Sequence, residues 1–444
     1  MTALRSSRLR YALIPILVVL AVVAMLVLWR GKSPADQRVE LPFDFRQTAG
    51  TSTDSLISSL QQQIRANPKN FDAHIELANA YLQKVRETGD PTLYTKAEAL
   101  LDEAQRLQPQ SPELFATRGS LALARHDFAA ALGYGTRALA SDPKSARYHG
   151  IVGDAQIELG MYDDAIDSYQ EMVNDRPDFS SFSRVAYARE LYGDPEGAIE
   201  AMEYALQAGS GTPENVAWAH VQLGNLWFGS GNLDQAEREY GRSTETVSAY
   251  APALAGQARI AAAKGNLGLA SKLYKQAFNR MPLPEYAIAL GDVYAGMGQR
   301  DKAEAQYELV QSMDKLLRAN GVNTDLEIAL FYADHDMDLK SSLQKARSAY
   351  RARPSIHAAD ALAWTLYKTG DHKEAEKYSE EALKLGTRDP LKLFHAGMIA
   401  KSLGQKEQAR DYLQRAIDLN PHFSLLYSDE AAGALKSLKS EEGN

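Results

Sequence analysis

A small residue recurs along this chain at a nearly fixed interval, and that interval restricts the fold more than any other feature. Ala97, Ala131, Ala165, Ala198, Ala236, Ala270 and Ala303 are separated by 34, 34, 33, 38, 34 and 33 residues; Ala375 follows after 72 and Ala409 after another 34. Other positions keep step. Twelve residues before most of these alanines stands a second small residue: Gly119, Gly153, Ala186, Gly224, Ala258, Gly291, Ala363 or Gly397. Five before them stands a glycine: Gly160, Gly193, Gly231, Gly265, Gly298, Gly370 or Gly404. Pro109, Pro143, Pro177, Pro282 and Pro421 lie twelve residues after five of them. A period in the thirties marks one supersecondary unit used repeatedly, because each copy leaves an apolar face that only its neighbour can cover.

Each unit reads as two helices. The stretch "ALAWTLYKTGDHKEAEKYSEEAL" (residues 361–383) places its apolar residues at helical spacings on both sides of one glycine. That glycine ends the first helix where a left-handed backbone is needed, and the proline ends the second. The paired small residues let the helices approach closely, so that Tyr240, Tyr274 and Tyr307 fill the seam between them. One unit, at about 323–353, is degenerate: it keeps Ala349 and Pro354 but has Leu330 and Ser342 at its two small positions.

The units "VQLGNLWFGSGNLDQAEREY" (221–240) and "AIALGDVYAGMGQRDKAEAQY" (287–307) resemble the tetratricopeptide repeat. The resemblance covers about ten units, starting near residues 71, 112, 146, 179, 217, 251, 284, 323, 356 and 390, with end-capping helices at 55–67 and 425–438. It implies an all-α, right-handed superhelical solenoid over residues 55–440, and a concave groove that binds a protein or peptide. Chaperone-binding members of the family grip a C-terminal carboxylate with Lys and Asn. Asn79 and Asn225 match the Asn position, but Ile75 and Val221 stand where the Lys belongs, so that clamp is not implied.

The tiling leaves no segment long enough for a catalytic domain, and no Walker loop, G-x-S-x-G or H-E-x-x-H is present, so the expectation is a non-enzyme without cofactor. The chain has no cysteine, which removes disulfides and thiolate metal sites, and its net charge of −8 argues against nucleic acid. Outside the repeats, residues 11–29, "YALIPILVVLAVVAMLVLW", carry no charge. A helix of that length spans roughly 28 Å, close to the hydrocarbon core of a bilayer. It exceeds the usual apolar run of a cleaved signal peptide, so a signal anchor is expected behind a basic segment at 1–10, with a polar linker at 30–54. Arg5, Arg8 and Arg10 precede it, against Arg30, Lys32 and Arg38 after it. This leans toward a cytoplasmic N-terminus and an extracytoplasmic repeat array at the inner membrane of a bacterial-type cell.

The resemblance points one residue per unit into the groove: Asn79, Ser120, Asp154, Tyr187, Asn225, Arg259, Asp292, Phe331, Trp364 and Met398. The first seven are polar or mixed; the last three are apolar, and Tyr367 and Phe394 join them. Aromatic and Met side chains suit a peptide or helix partner. The alternative is that they pack on neighbouring helices or on a C-terminal cap folding into the groove. A small-molecule or polysaccharide site in the polar part, or self-association through the aromatic end, are the competing functions. Asp334, His335, Asp336 and Asp338 cluster at the turn of the degenerate unit, where turn solvation is the ordinary role and metal binding the sharper one.

Overall fold

The computed structural model describes residues 52–440, and these form an all-helical solenoid of 22 helices. Helix α1 (Thr53–Ala66) caps the N-terminal end. Ten antiparallel pairs follow, each an inner helix A and an outer helix B. They are α2 (Phe71–Thr88) with α3 (Thr92–Leu107), α4 (Pro112–Ala124) with α5 (Phe128–Leu139), α6 (Ala146–Glu158) with α7 (Tyr162–Asp175), α8 (Phe179–Leu191) with α9 (Pro195–Ala208), and α10 (Pro213–Gly229) with α11 (Leu233–Thr246). The second five are α12 (Ala251–Ala263) with α13 (Leu267–Arg280), α14 (Pro284–Gly296) with α15 (Arg300–Ala319), α16 (Asp325–Asp334) with α17 (Leu339–Ala352), α18 (Ile356–Lys368) with α19 (His372–Ala382), and α20 (Pro390–Ser402) with α21 (Lys406–Leu419). Helix α22 (Ser428–Ser440) closes the array. Among the described residues no helix is long and apolar enough to cross a membrane; residues 11–29 lie outside them.

The dipeptide Gly-Asp or Gly-Asn explains four of the ten turns inside a pair. Gly193, Gly231, Gly265 and Gly370 take positive φ and end helix A. The next residue, Asp194, Asn232, Asn266 or Asp371, accepts a hydrogen bond from the backbone near the start of helix B. The repeated alanines are buried in the nine pairs that carry them, as close packing demands. In the degenerate unit Ser342 replaces alanine without loss, because its hydroxyl, fully buried, donates to the Ala329 carbonyl at 2.7 Å. Helix A of one unit also rests on helix A of the next, α2 on α4, α16 on α18 and α18 on α20 among them, which puts the A helices on the inside of the curve.

The array winds until its own edges meet. The turn of each of the first five pairs docks on the link that leaves a pair in the second five. Gly89 meets Met281 and Leu283, and the Arg125 carbonyl accepts the Asn323 amide at 2.9 Å. The Tyr162 hydroxyl accepts the Ile356 amide at 2.7 Å, and the buried Asn420 side chain donates to the Phe228 carbonyl at 2.7 Å; these partners lie 194 and 192 residues apart. Three turn glycines have no room for a methyl group. A Cβ on Gly160 would stand 2.4 Å from the Pro354 oxygen, on Gly193 2.1 Å from Gly386, and on Gly231 2.4 Å from Leu419. The corresponding glycines of the second half, Gly265, Gly298, Gly370 and Gly404, have nothing within 4 Å. One turn of the coil therefore closes between five and six units, and a continuous seam locks the first half onto the second.

Candidate functional site

The inner row of helix A is where a solenoid usually meets its ligand, so its side chains decide what this coil can do. In three pairs the row follows one rule. A glycine on helix A lets a tyrosine ring from helix B lie against the backbone: a Cβ on Gly153, Gly224 or Gly291 would fall 2.4–2.5 Å from the ring of Tyr169, Tyr240 or Tyr307. The tyrosine hydroxyl then donates to the residue after that glycine, at 3.1 Å to Asp154, 2.9 Å to Asn225 and 2.8 Å to Asp292. The next unit supplies the other partner. Arg184 forks onto both Asp154 oxygens at 2.7 Å, Arg259 reaches Asn225 at 2.6 Å, and His335 Nε2 meets Asp292 at 2.7 Å.

Electrostatics follow from that arrangement. Burial pushes the Tyr169, Tyr240 and Tyr307 hydroxyls up, with the adjacent carboxylates adding to it for Tyr169 and Tyr307, so all three remain donors at neutral pH. Burial disfavours the charge on His335, but the bond to Asp292 outweighs it and raises its pKa. Arg259 also lies over the Phe228 ring at 4.2 Å. Asp154, Asn225 and Asp292, which the sequence places in the groove, are thus each tied to the unit that follows, Asn225 through Arg259 of the same predicted row, and these ties form the rungs of a ladder. Asn79 donates to Thr117 at 3.4 Å, and Ser120 bonds its own helix at the Ala116 carbonyl. Tyr187 reaches across the seam to His357 at 3.2 Å and donates to Glu158 of the preceding unit at 3.4 Å.

Over the sealed part of the coil the edges of the array meet, so the inner row lies within a closed turn.

At the C-terminal end the aromatic residues do come together, but under cover. Phe331, Trp364, Phe394 and Met398 are all buried, and Tyr367 is half-buried. Phe331 packs on Tyr307 and His335. Trp364 stacks on His395 at 4.1 Å and on Tyr367 at 4.9 Å, while Phe394 stacks on Tyr427 at 4.9 Å. The cover is the chain's own end: Tyr427, Ala431, Ala434, Leu435 and Leu438 pack into the same cluster as Trp364, Phe394 and Met398. The cap thus folds in over Trp364, Phe394 and Met398.

Asp334 of the acidic turn, with Asp360 and His395, which the sequence reading passed over, completes this end. Asp334 accepts from Trp364 Nε1 at 2.8 Å and from the Tyr427 hydroxyl at 2.9 Å, and burial raises its pKa. Asp360 holds His395 Nδ1 at 3.0 Å, and His395 Nε2 is buried with no partner among the described residues. The aromatic run "HFSLLY" (422–427) was the available signal. The acidic cluster of the degenerate unit disperses: Asp334 points to Trp364, His335 to Asp292, Asp336 to Lys368 at 2.7 Å, and Asp338 caps α17. Among the described residues no group of three or more His, Asp or Glu is placed to hold a metal.

Family models described as tetratricopeptide repeat match residues 117–180, 284–315, 356–385 and 393–423. The chain carries tetratricopeptide repeats. The protein CTR9 homolog of Arabidopsis thaliana is 28% identical over 215 residues, which is 46% of this chain and 19% of that protein, so the match spans about a fifth of that relative. Among solved structures, yeast Tom70 is similar over 88% of this chain and 96% of its own, at 13% identity and a TM-score of 0.39. PilW, a widely conserved type IV pilus biogenesis factor, is similar over 47% of this chain and 97% of its own, at 18% identity and a TM-score of 0.39.

Proposed function

We propose that this chain is a protein-binding scaffold, tethered to a membrane by residues 11–29, that serves the assembly, secretion, maturation or quality control of another protein complex. Tetratricopeptide repeats typically mediate protein–protein interaction. The observation that carries the reading is the seam. Ten units sealed edge to edge hold positions on distant helices at fixed separations, which a scaffold requires and a flexible linker cannot give. The inner ladder supports it as well, since Asp154, Asn225, Arg259 and Asp292 are bound to the framework and serve rigidity before chemistry. The uncharged segment at 11–29, flanked by arginines and Lys32, supports the tether.

The test uses the full chain in its native membrane, with a photo-crosslinking residue placed at exposed sites such as Tyr192, Leu269 and Leu316. Discrete adducts with another protein, from some sites and not others, are expected. Only self-adducts, or none, from every site would contradict the scaffold reading. Deleting residues 1–30 is expected to release the array from the membrane; an array that stays in the membrane fraction refutes the tether.

A further inference from the structure

The inner ladder supplies its own partners in the middle of the coil, but not at its end. Asp154, Asn225 and Asp292 each take a tyrosine hydroxyl from 15 residues downstream, within the same unit. Asp334 takes one from Tyr427, 93 residues away and outside the ten pairs. The segment that brings Tyr427 is short, and Lys439 beyond it donates to Gln414 at 2.9 Å on the surface. What it covers is a built receptor: Trp364, Phe394 and Met398 form the walls, and Asp334 is aimed at the hydroxyl. His395, buried and stacked on Trp364, has a ring nitrogen to spare.

We propose that this end of the coil is a receptor for an amphipathic helix led by a tyrosine, and that residues 423–438 are its internal occupant, displaced when a partner presents the same chemistry. The required pattern is read from the occupant. Tyr427 inserts its ring on Phe394 and its hydroxyl on Asp334; Ala431 one turn on lets the helix approach; Ala434, Leu435 and Leu438 fill the apolar wall. The tyrosine gives specificity. A phenylalanine in its place would leave a buried carboxylate short of one donor, and sites built for a hydroxyl reject analogues that lack it strongly. The internal occupant sets the threshold. A tethered segment acts at an effective concentration of ~1 mM, so a free helix of equal intrinsic affinity competes only at comparable concentration unless it makes further contacts. This inference deepens the scaffold reading by naming a site and the chemistry of its partner.

The experiment uses the full chain and a fluorescent peptide with the sequence of residues 421–440. A chain with its own occupant weakened, Tyr427→Ala with Leu435→Ala, is expected to bind the peptide at least tenfold more tightly than the unaltered chain does. On that background Asp334→Asn is expected to weaken the peptide about tenfold, and to change little for a peptide with phenylalanine at the position of Tyr427. No binding to a folded, occupant-weakened chain, or binding indifferent to Asp334, overturns the proposal. If the double variant does not fold, hydrogen exchange on the unaltered chain decides. Amides of α22 that exchange by a local opening, well before those of α20, support a displaceable occupant; equal protection makes the segment fixed core and overturns it. Crosslinks to another protein from elsewhere on the coil, with no peptide binding here, would sink this site and leave the scaffold standing.

Discussion

Gly160→Ala separates the seam from ordinary turn chemistry, because Gly265→Ala provides the matched control. Both glycines sit in the same turn of their units, with φ of +72° and +76°. Either substitution forces alanine into the left-handed region at a cost of ~1–2 kcal/mol. Only at Gly160 does the new methyl group also meet the seam, 2.4 Å from the Pro354 oxygen, while Gly265 has open space within 4 Å. Relieving an overlap of that size means shifting packed backbone, and overpacking of this kind costs ~1–3 kcal/mol beyond the turn strain. The direct readout is exchange of the Ile356 amide, which is bonded across the seam to Tyr162 at 2.7 Å. An extra ~1–3 kcal/mol corresponds to exchange ~5- to 150-fold faster in Gly160→Ala, with Gly265→Ala leaving that amide unchanged. If both variants accelerate it equally, or neither does, the seam is not a distinct energetic element and the reasoning fails.

Three further outcomes follow from the same geometry. Asn420→Ala removes the donor to the buried Phe228 carbonyl and is expected to destabilise the coil by ~1–3 kcal/mol in denaturant titration, whereas Gln408→Ala on the exposed surface is expected to have little effect. His335 has its pKa raised by Asp292 above the ordinary 6.5. Its stabilisation is therefore fully present below about pH 6.5 and is lost as pH rises through the raised value. The melting temperature is expected to fall over that range in the unaltered chain, and His335→Gln to flatten that slope. Gly224→Ala places a Cβ 2.4 Å from the Tyr240 ring and is expected to cost ~1–3 kcal/mol; the milder Tyr240→Phe removes only the hydroxyl that donates to Asn225.

The repeat was legible because its causes are local. Small residues, glycine and proline at fixed spacing act within one helix pair, and Tyr240 and Tyr307 fill their seams against Gly224 and Gly291 as the spacing implied. The closed coil was not legible in the same way. It depends on a small rotation per unit summed over nearly 200 residues, and no single motif records that sum. Polar residues of the inner row pair with groups on the next unit, and Trp364 and Phe394 already have an occupant whose tyrosine lies beyond the last repeat.

The central claim is that the array closes on itself, and the absence of native cysteine makes it directly measurable. Glu196 and Arg388 are exposed, sit on opposite sides of the seam and form an ion pair at 3.3 Å, 192 residues apart. Spin labels on Glu196→Cys and Arg388→Cys in the full chain report their separation by pulsed dipolar spectroscopy. The closed coil predicts one narrow distribution near ~2 nm, whereas five to six units in an open stack at ~10 Å each would hold the labels ~5 nm apart. A broad distribution centred at the longer distance would contradict the seam, and with it the rigid scaffold built upon it.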